Sequence, residues 1–187
     1  MNLSNKTPGQ APHWLHRGLA GIVFDRHLVT RPRNHLFQTG LATVALIIML
    51  LVEDAVLNAA IVVAVASSAF IVFVVPSSVA STPRKVVGGH LVAVIVGSIG
   101  SGVLMIPALE AFAEQSRYLL DIVAALSVGV SILVMVATNT EHPPAAGTVL
   151  GLVVKVLGWQ AVAFILISAV LLSLIRLVLR PKLINLM

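Results

Sequence analysis

No cysteine occurs among the 187 residues, which excludes disulfides, thiolate catalysis, iron–sulfur clusters and cysteine-based zinc sites. Charge is nearly as scarce. Asp, Glu, Lys and Arg make up 10% of the chain, against roughly 25% in an ordinary soluble domain. Aromatic residues contribute 5%, and no aromatic-interleaved basic face exists. The net charge of +5 therefore does not point to nucleic acid. What fills the chain is apolar: 58% of residues are hydrophobic and the mean hydropathy is +1.04. A helical membrane bundle is the class that fits. No stretch remains for a soluble catalytic domain, so an enzyme is not expected, and no cofactor motif is present.

Six apolar runs cover residues 35–52, 55–75, 82–106, 118–137, 143–157 and 159–180. A helix needs roughly 20 apolar residues to span hydrocarbon, and about 17 suffice. The predicted fold is thus an all-α, polytopic helical membrane bundle of about six segments: five full spans plus one short or broken helix, the fifth. Residues 1–34 form a basic tail in which Leu15, Leu19, Ile22 and Val23 fall at the spacing of an interfacial helix. The membrane domain is read as 35–180 and a short end as 181–187. Six crossings with a cytoplasmic amino terminus put Lys6, Arg17, Arg26, Arg31, Arg33, Arg84, Lys85, Arg176, Arg180 and Lys182 inside. Arg117 and Lys155 then fall outside, with Glu53, Asp54, Glu110, Glu114 and Asp121. The expectation is a multi-pass protein of a bacterial inner membrane with both termini cytoplasmic. Segments 1–3 and 4–6 would form an inverted three-helix repeat, an arrangement that often places a transport site between its halves. A homo-oligomer is left open.

Two turns interrupt these runs, and they hold the only histidines outside the amino-terminal region. One runs from Pro76-Ser77-Ser78 through Thr82-Pro83-Arg84-Lys85 to Gly88-Gly89-His90. The other reads Thr138-Asn139-Thr140-Glu141-His142-Pro143-Pro144-Ala145-Ala146-Gly147-Thr148. Polar groups on irregular backbone are expensive near a bilayer, which makes them site candidates. Thr82 and Pro83 read as N-cap and first residue of a helix whose opening turn holds two cations, a place an anion would relieve. Free N–H groups at the Pro143 helix start, beside His142, could receive a small anion. Glu141 either neutralises His142 or carries a proton with it. The candidate substrate-binding set is Ser77, Ser78, Arg84, His90, Asn139, Thr140, Glu141, His142, Pro143, Pro144, Gly147 and Thr148. A structural reading stands beside it: Pro and Gly pairs mark tight turns, Arg84-Lys85 can anchor to headgroups, and His90 can be a packed histidine. Histidines 13, 16, 27 and 35 are too scattered to argue for metal.

These blocks resemble the HPP family of integral membrane proteins, through His142-Pro143-Pro144 and through Ala69-Phe70-Ile71-Val72-Phe73, Pro76-Ser77-Ser78, Pro83-Arg84 and Gly88-Gly89-His90. The resemblance covers about residues 33 to 180 and implies transport, with nitrite the substrate associated with some members. The expected function is a permease or channel for a small inorganic anion. The alternatives are a transporter of another small solute and a metal-dependent intramembrane enzyme. Against the latter, no His-Glu-x-x-His spacing is present. The expected partners are the anion and the lipid bilayer.

Overall fold

The computed structural model describes residues 33–34, 36–41, 43–44, 59–115, 117–154 and 158–186. Expectations for the tail before residue 33, most of the first apolar run, Glu53, Asp54 and Lys155 lie outside these residues. The described residues between 33 and 44 are helical. Then come α1 (Ala59–Val74), a 3-10 turn (Val79–Ser81), α2 (Pro83–Leu104), α3 (Pro107–Gln115), α4 (Arg117–Thr138), α5 (Pro143–Val154), α6 (Trp159–Leu179) and a closing 3-10 turn (Arg180–Lys182).

Among the described residues, three stretches are long and apolar enough to cross a membrane: Pro83–Leu104, Tyr118–Thr138 and Trp159–Lys182. Ile95, Ile99, Leu126, Leu133, Ile167, Leu174 and Val178 stand exposed on them. Apolar patches on that scale are uncommon on soluble monomers and suit a lipid-facing surface. The protein is a helical membrane protein.

Helix α5 has 12 residues, about 18 Å of rise, and cannot cross about 30 Å of hydrocarbon alone. It packs instead against α1, α2 and α4. Pro144, Ala145, Thr148, Val149, Gly151, Leu152 and Val153 are all buried, so its backbone is shielded from lipid by protein. The described part of the second run is also short, 16 residues in α1. The two short helices run antiparallel, with Gly147 against Ala64 and Gly151 against Ile61 and Ala60. A Cβ on Gly151 would lie 2.6 Å from Ile61 Cγ1, so only glycine permits this approach.

Helix α2 joins the layers. One face carries Lys85, Val86, Gly89, His90, Ala93, Val94, Gly97, Gly100, Ser101 and Leu104, all buried. Val86 packs with α1 and α6, Ala93 and Leu104 with α4 and α5, and Val94 with α1, α5 and α6. The glycine-rich spacing of this segment is used for packing: Gly97 meets Leu152, and Gly100 meets Ser127 and Val153. Residues 107–115, which lie between two apolar runs, form α3, a short helix of mixed polarity opened by Pro107.

Candidate functional site

The second turn begins where α4 ends. Asn139 adopts φ 55°, the left-handed region that asparagine tolerates better than most residues. The Asn139 N–H bonds to the Val136 carbonyl at 3.2 Å and the Thr140 N–H to the Met135 carbonyl at 2.8 Å, the paired bonds of a Schellman stop. The chain then turns into α5 at Pro143. Here the expectation of free N–H groups is corrected. Pro143 and Pro144 have no N–H to offer, and Ala145 N–H already bonds to the His142 carbonyl at 2.9 Å. At the other helix start, Lys85 and Val86 N–H both bond to the Thr82 carbonyl. Thr82 occupies the N-cap position, but its hydroxyl donates to the Val79 carbonyl rather than capping α2.

The two turns meet. Arg84 Nη2 donates to the Thr138 carbonyl at 2.9 Å, and Lys85 Nζ donates to Asn139 Oδ1 at 2.6 Å and ion-pairs with Glu141. Glu141 therefore has Lys85 as its charged partner. Gly88 and Gly89 make room for the second turn: a Cβ on Gly89 would lie 2.6 Å from His142 Cβ and 2.9 Å from the Thr140 carbonyl oxygen.

Below this junction the two histidines share one serine. Ser68 Oγ, on α1, lies 2.9 Å from His90 Nε2 and 2.9 Å from His142 Nε2. The outer nitrogens are also held, His90 Nδ1 by Thr148 Oγ1 at 3.0 Å and His142 Nδ1 by the Ala80 carbonyl at 2.9 Å. Ser68, His90, His142 and Thr148 are all buried, and the imidazoles sit edge to face with centroids 5.3 Å apart. Five chain segments thus converge on one buried polar cluster: α1, the 3-10 turn, α2, the second turn and α5.

The range matched by a family model includes the His142-Pro143-Pro144 turn. The family model of the HPP transmembrane region matches residues 28–183. This chain belongs to the HPP transmembrane family. A transmembrane protein of Dictyostelium discoideum is 32% identical over 103 residues, covering 54% of this chain and 33% of that protein. The chain thus spans about a third of the length of that relative. No solved structure matches.

Within the HPP domain, the candidate residues divide. His90, His142 and Thr148 join the buried cluster, while Arg84, Asn139, Thr140 and Glu141 form the junction above it. Ser77 and Ser78 serve the first turn instead: Ser77 N–H bonds to Asn185 Oδ1, and Ser78 Oγ accepts from Ala80 N–H. Gly147 is a packing residue against Ala64, Pro144 is buried in α5, and Pro143 is exposed. Three residues stand outside the candidate set: Ser68, Arg176, and Lys85, which sequence reasoning reads only as one of two cations in the first turn. Arg176, expected as a topology marker, is buried and pins the first turn, donating to Ser81 Oγ at 3.1 Å and to the Pro76 carbonyl at 2.7 Å.

The Lys85–Glu141 pair yields an asymmetry that can be measured. The Lys85 side chain is 9% exposed and that of Glu141 41%. Removing the carboxylate strands a buried cation, whereas removing the amine leaves a carboxylate that water reaches. Glu141→Gln is expected to lower stability more than Lys85→Met. The Glu141→Gln loss stays near about 1 kcal/mol, because the pair is half open to solvent and Asn139 still holds the ammonium. Thermal unfolding of both variants in detergent checks the order.

Proposed function

We propose that this protein is a permease for a small inorganic anion, with nitrite the leading candidate. The observation that carries the reading is the charge at the end of the bundle where the turns meet. Arg84, Lys85, Arg176, Arg180 and Lys182 stand there against one carboxylate, Glu141, among residues 75–90, 138–142 and 176–186. An electropositive mouth framed by low-dielectric walls concentrates anions. Directly beneath it lies the buried cluster of Ser68, His90, His142 and Thr148. An anion entering from that end would exchange water for the Arg84 and Lys85 donors of the junction, then for those of the cluster. The helix starts, short of free N–H groups, contribute less than the side chains.

The same charge distribution supports a cytoplasmic location for this end and for both termini. The antiparallel pairing of the short helices α1 and α5 supports an inverted repeat with the site at its interface. Transport of another small solute is the second reading, favoured by the neutral hydrogen-bonding character of Ser68 and Thr148. A metalloenzyme is less supported: among the described residues no group of three His, Cys, Asp or Glu side chains is placed to hold a metal.

The test is uptake by liposomes containing the purified protein, using nitrite, nitrate, chloride, formate and an uncharged solute of similar size. Saturable nitrite uptake above protein-free vesicles is expected. Passage of the neutral solute alone would favour the second reading, and no anion uptake at all would reject the first.

A further inference from the structure

Five hydrogen-bond contacts meet in the buried cluster, and the polarity of each can be worked out. Ala80 offers a carbonyl, which only accepts, so His142 Nδ1 carries a proton. Ser68 Oγ has one hydrogen and three neighbours within hydrogen-bond distance: the Ala64 carbonyl at 2.9 Å and the two Nε2 atoms at 2.9 Å each. In the neutral cluster the chain runs in one direction. Thr148 O–H donates to His90 Nδ1, His90 Nε2–H donates to Ser68 Oγ, and Ser68 O–H donates to His142 Nε2. The Ser68–Ala64 contact is then idle. All five contacts are satisfied at once only when one further proton sits on His142 Nε2. Both Nε2–H groups then donate to Ser68 Oγ, whose own hydrogen turns to the Ala64 carbonyl.

We propose that the Ser68-bridged histidine pair is a one-proton site, loaded at His142 Nε2 with the Ser68 hydroxyl as its rotating switch. Loading takes one proton from water and raises the charge of the cluster from zero to +1. No heavy atom has to move and no hydrogen bond is lost. Other ionisable groups on the packed elements are distant from this exchange or already engaged. Helix α1, the 3-10 turn and α5 have none. Helix α2 has Arg84, bonded to Thr138, and Lys85, paired with Glu141 of the turn. Arg176 of α6 is bonded to Ser81 and Pro76. The ionisable residues of α4, Arg117, Tyr118 and Asp121, lie in its first turns, at the opposite end from residue 139.

A buried charge is costly unless an opposite charge accompanies it. If an anion enters beside a loaded pair, each stabilises the other, and by reciprocity each raises the other's affinity. The cluster then supplies what a proton–anion symporter needs. That coupling rests on the proposed anion reading, whereas the proton site does not.

The experiment is nitrogen NMR of the full chain, labelled with 15N-histidine and held in lipid bilayers, titrated from alkaline to acidic pH. Wild type and Ser68→Ala are compared, and signals that move between them identify the pair. At alkaline pH one ring is expected to be protonated at Nδ1 and the other at Nε2. On acidification, the Nδ1-protonated ring should gain the second proton first. Two rings of the same tautomer, first loading of the Nε2-protonated ring, or signals indifferent to Ser68→Ala would overturn the proposal. Nitrite uptake is measured on the same preparations. Absent uptake beside the expected nitrogen signals rejects the anion reading and keeps the proton site, and uptake beside rings of one tautomer does the reverse.

Discussion

His142→Ala is expected to lower anion flux about tenfold or more, in a protein that retains its helical fold. The imidazole joins the Ala80 carbonyl of the first turn to Ser68 of α1. Its removal leaves the buried Ser68 and the partly buried Ala80 carbonyl with one partner fewer each, at a cost of about 1–3 kcal/mol for a buried group left unsatisfied. A change of about 1.4 kcal/mol in the barrier is tenfold in rate, so losing one donor or acceptor along the path is enough. His142→Gln restores some hydrogen bonding but cannot carry a second proton. It is therefore expected to recover part of the stability and less of the flux. Uptake per folded molecule, with folding judged by monodisperse elution and helical content, gives the answer. Wild-type flux in a folded His142→Ala protein would make the tripeptide a structural turn.

Gly89→Ala should be the most damaging glycine substitution in α2. The new methyl would approach His142 Cβ at 2.6 Å and the Thr140 carbonyl oxygen at 2.9 Å, and neither is the end of a flexible side chain. Overpacking of this kind costs about 1–3 kcal/mol. Relief requires the second turn to move away from α2, which draws His142 off Ser68. Flux and thermal stability should therefore fall together. Gly129, on an exposed part of α4, serves as the control, since a Cβ there would have nothing within 4 Å. Gly129→Ala is expected to be neutral or stabilising by up to about 1 kcal/mol, as in helix interiors generally. Equal melting temperatures for the two variants would mean that the junction of turn and helix is looser than the geometry implies.

Much of this architecture is legible from hydrophobic length and punctuation. The starts of α2, α5 and α6 fall at Pro83, Pro143 and Trp159, where apolar runs resume after polar or helix-breaking residues. The pairing of the two turns follows from their shared character: each is polar, each precedes a helix start, and each brings a histidine that must be satisfied indoors. Ser68 is invisible in the sequence for a physical reason. A serine in a membrane helix can turn its hydroxyl to the carbonyl four residues back, as the 2.9 Å approach of Ser68 Oγ to the Ala64 carbonyl allows, and so reads as one more small residue. Only the tertiary approach of His90 and His142 gives it a role. Lys85 is within reach of the sequence. It lies four residues before Gly89, on the inward face that continues through Ala93, Gly97 and Gly100, whereas Arg84 falls on the outer side. Treating both cations alike, as a charge that an anion would relieve or as lipid anchors, overlooks that periodicity. The helix-start argument fails because a proline pair that begins a helix also removes the N–H groups an anion would need.

The claim that an anion occupies the joined turns is tested most directly at Thr140. Its side chain is half-buried, its hydroxyl lies 2.8 Å from Thr138 Oγ1, and its Cγ2 faces Gly88. Because the chain has no cysteine, Thr140→Cys introduces a single thiol into an otherwise unreactive background. The measurement is the rate at which a charged methanethiosulfonate reagent modifies that thiol in liposomes, with and without nitrite. The account predicts modification from water, slowed in proportion to occupancy as nitrite approaches the concentration that half-saturates uptake. A rate unchanged by nitrite at saturating concentration, in a variant that still transports it, would contradict the account and place the anion elsewhere.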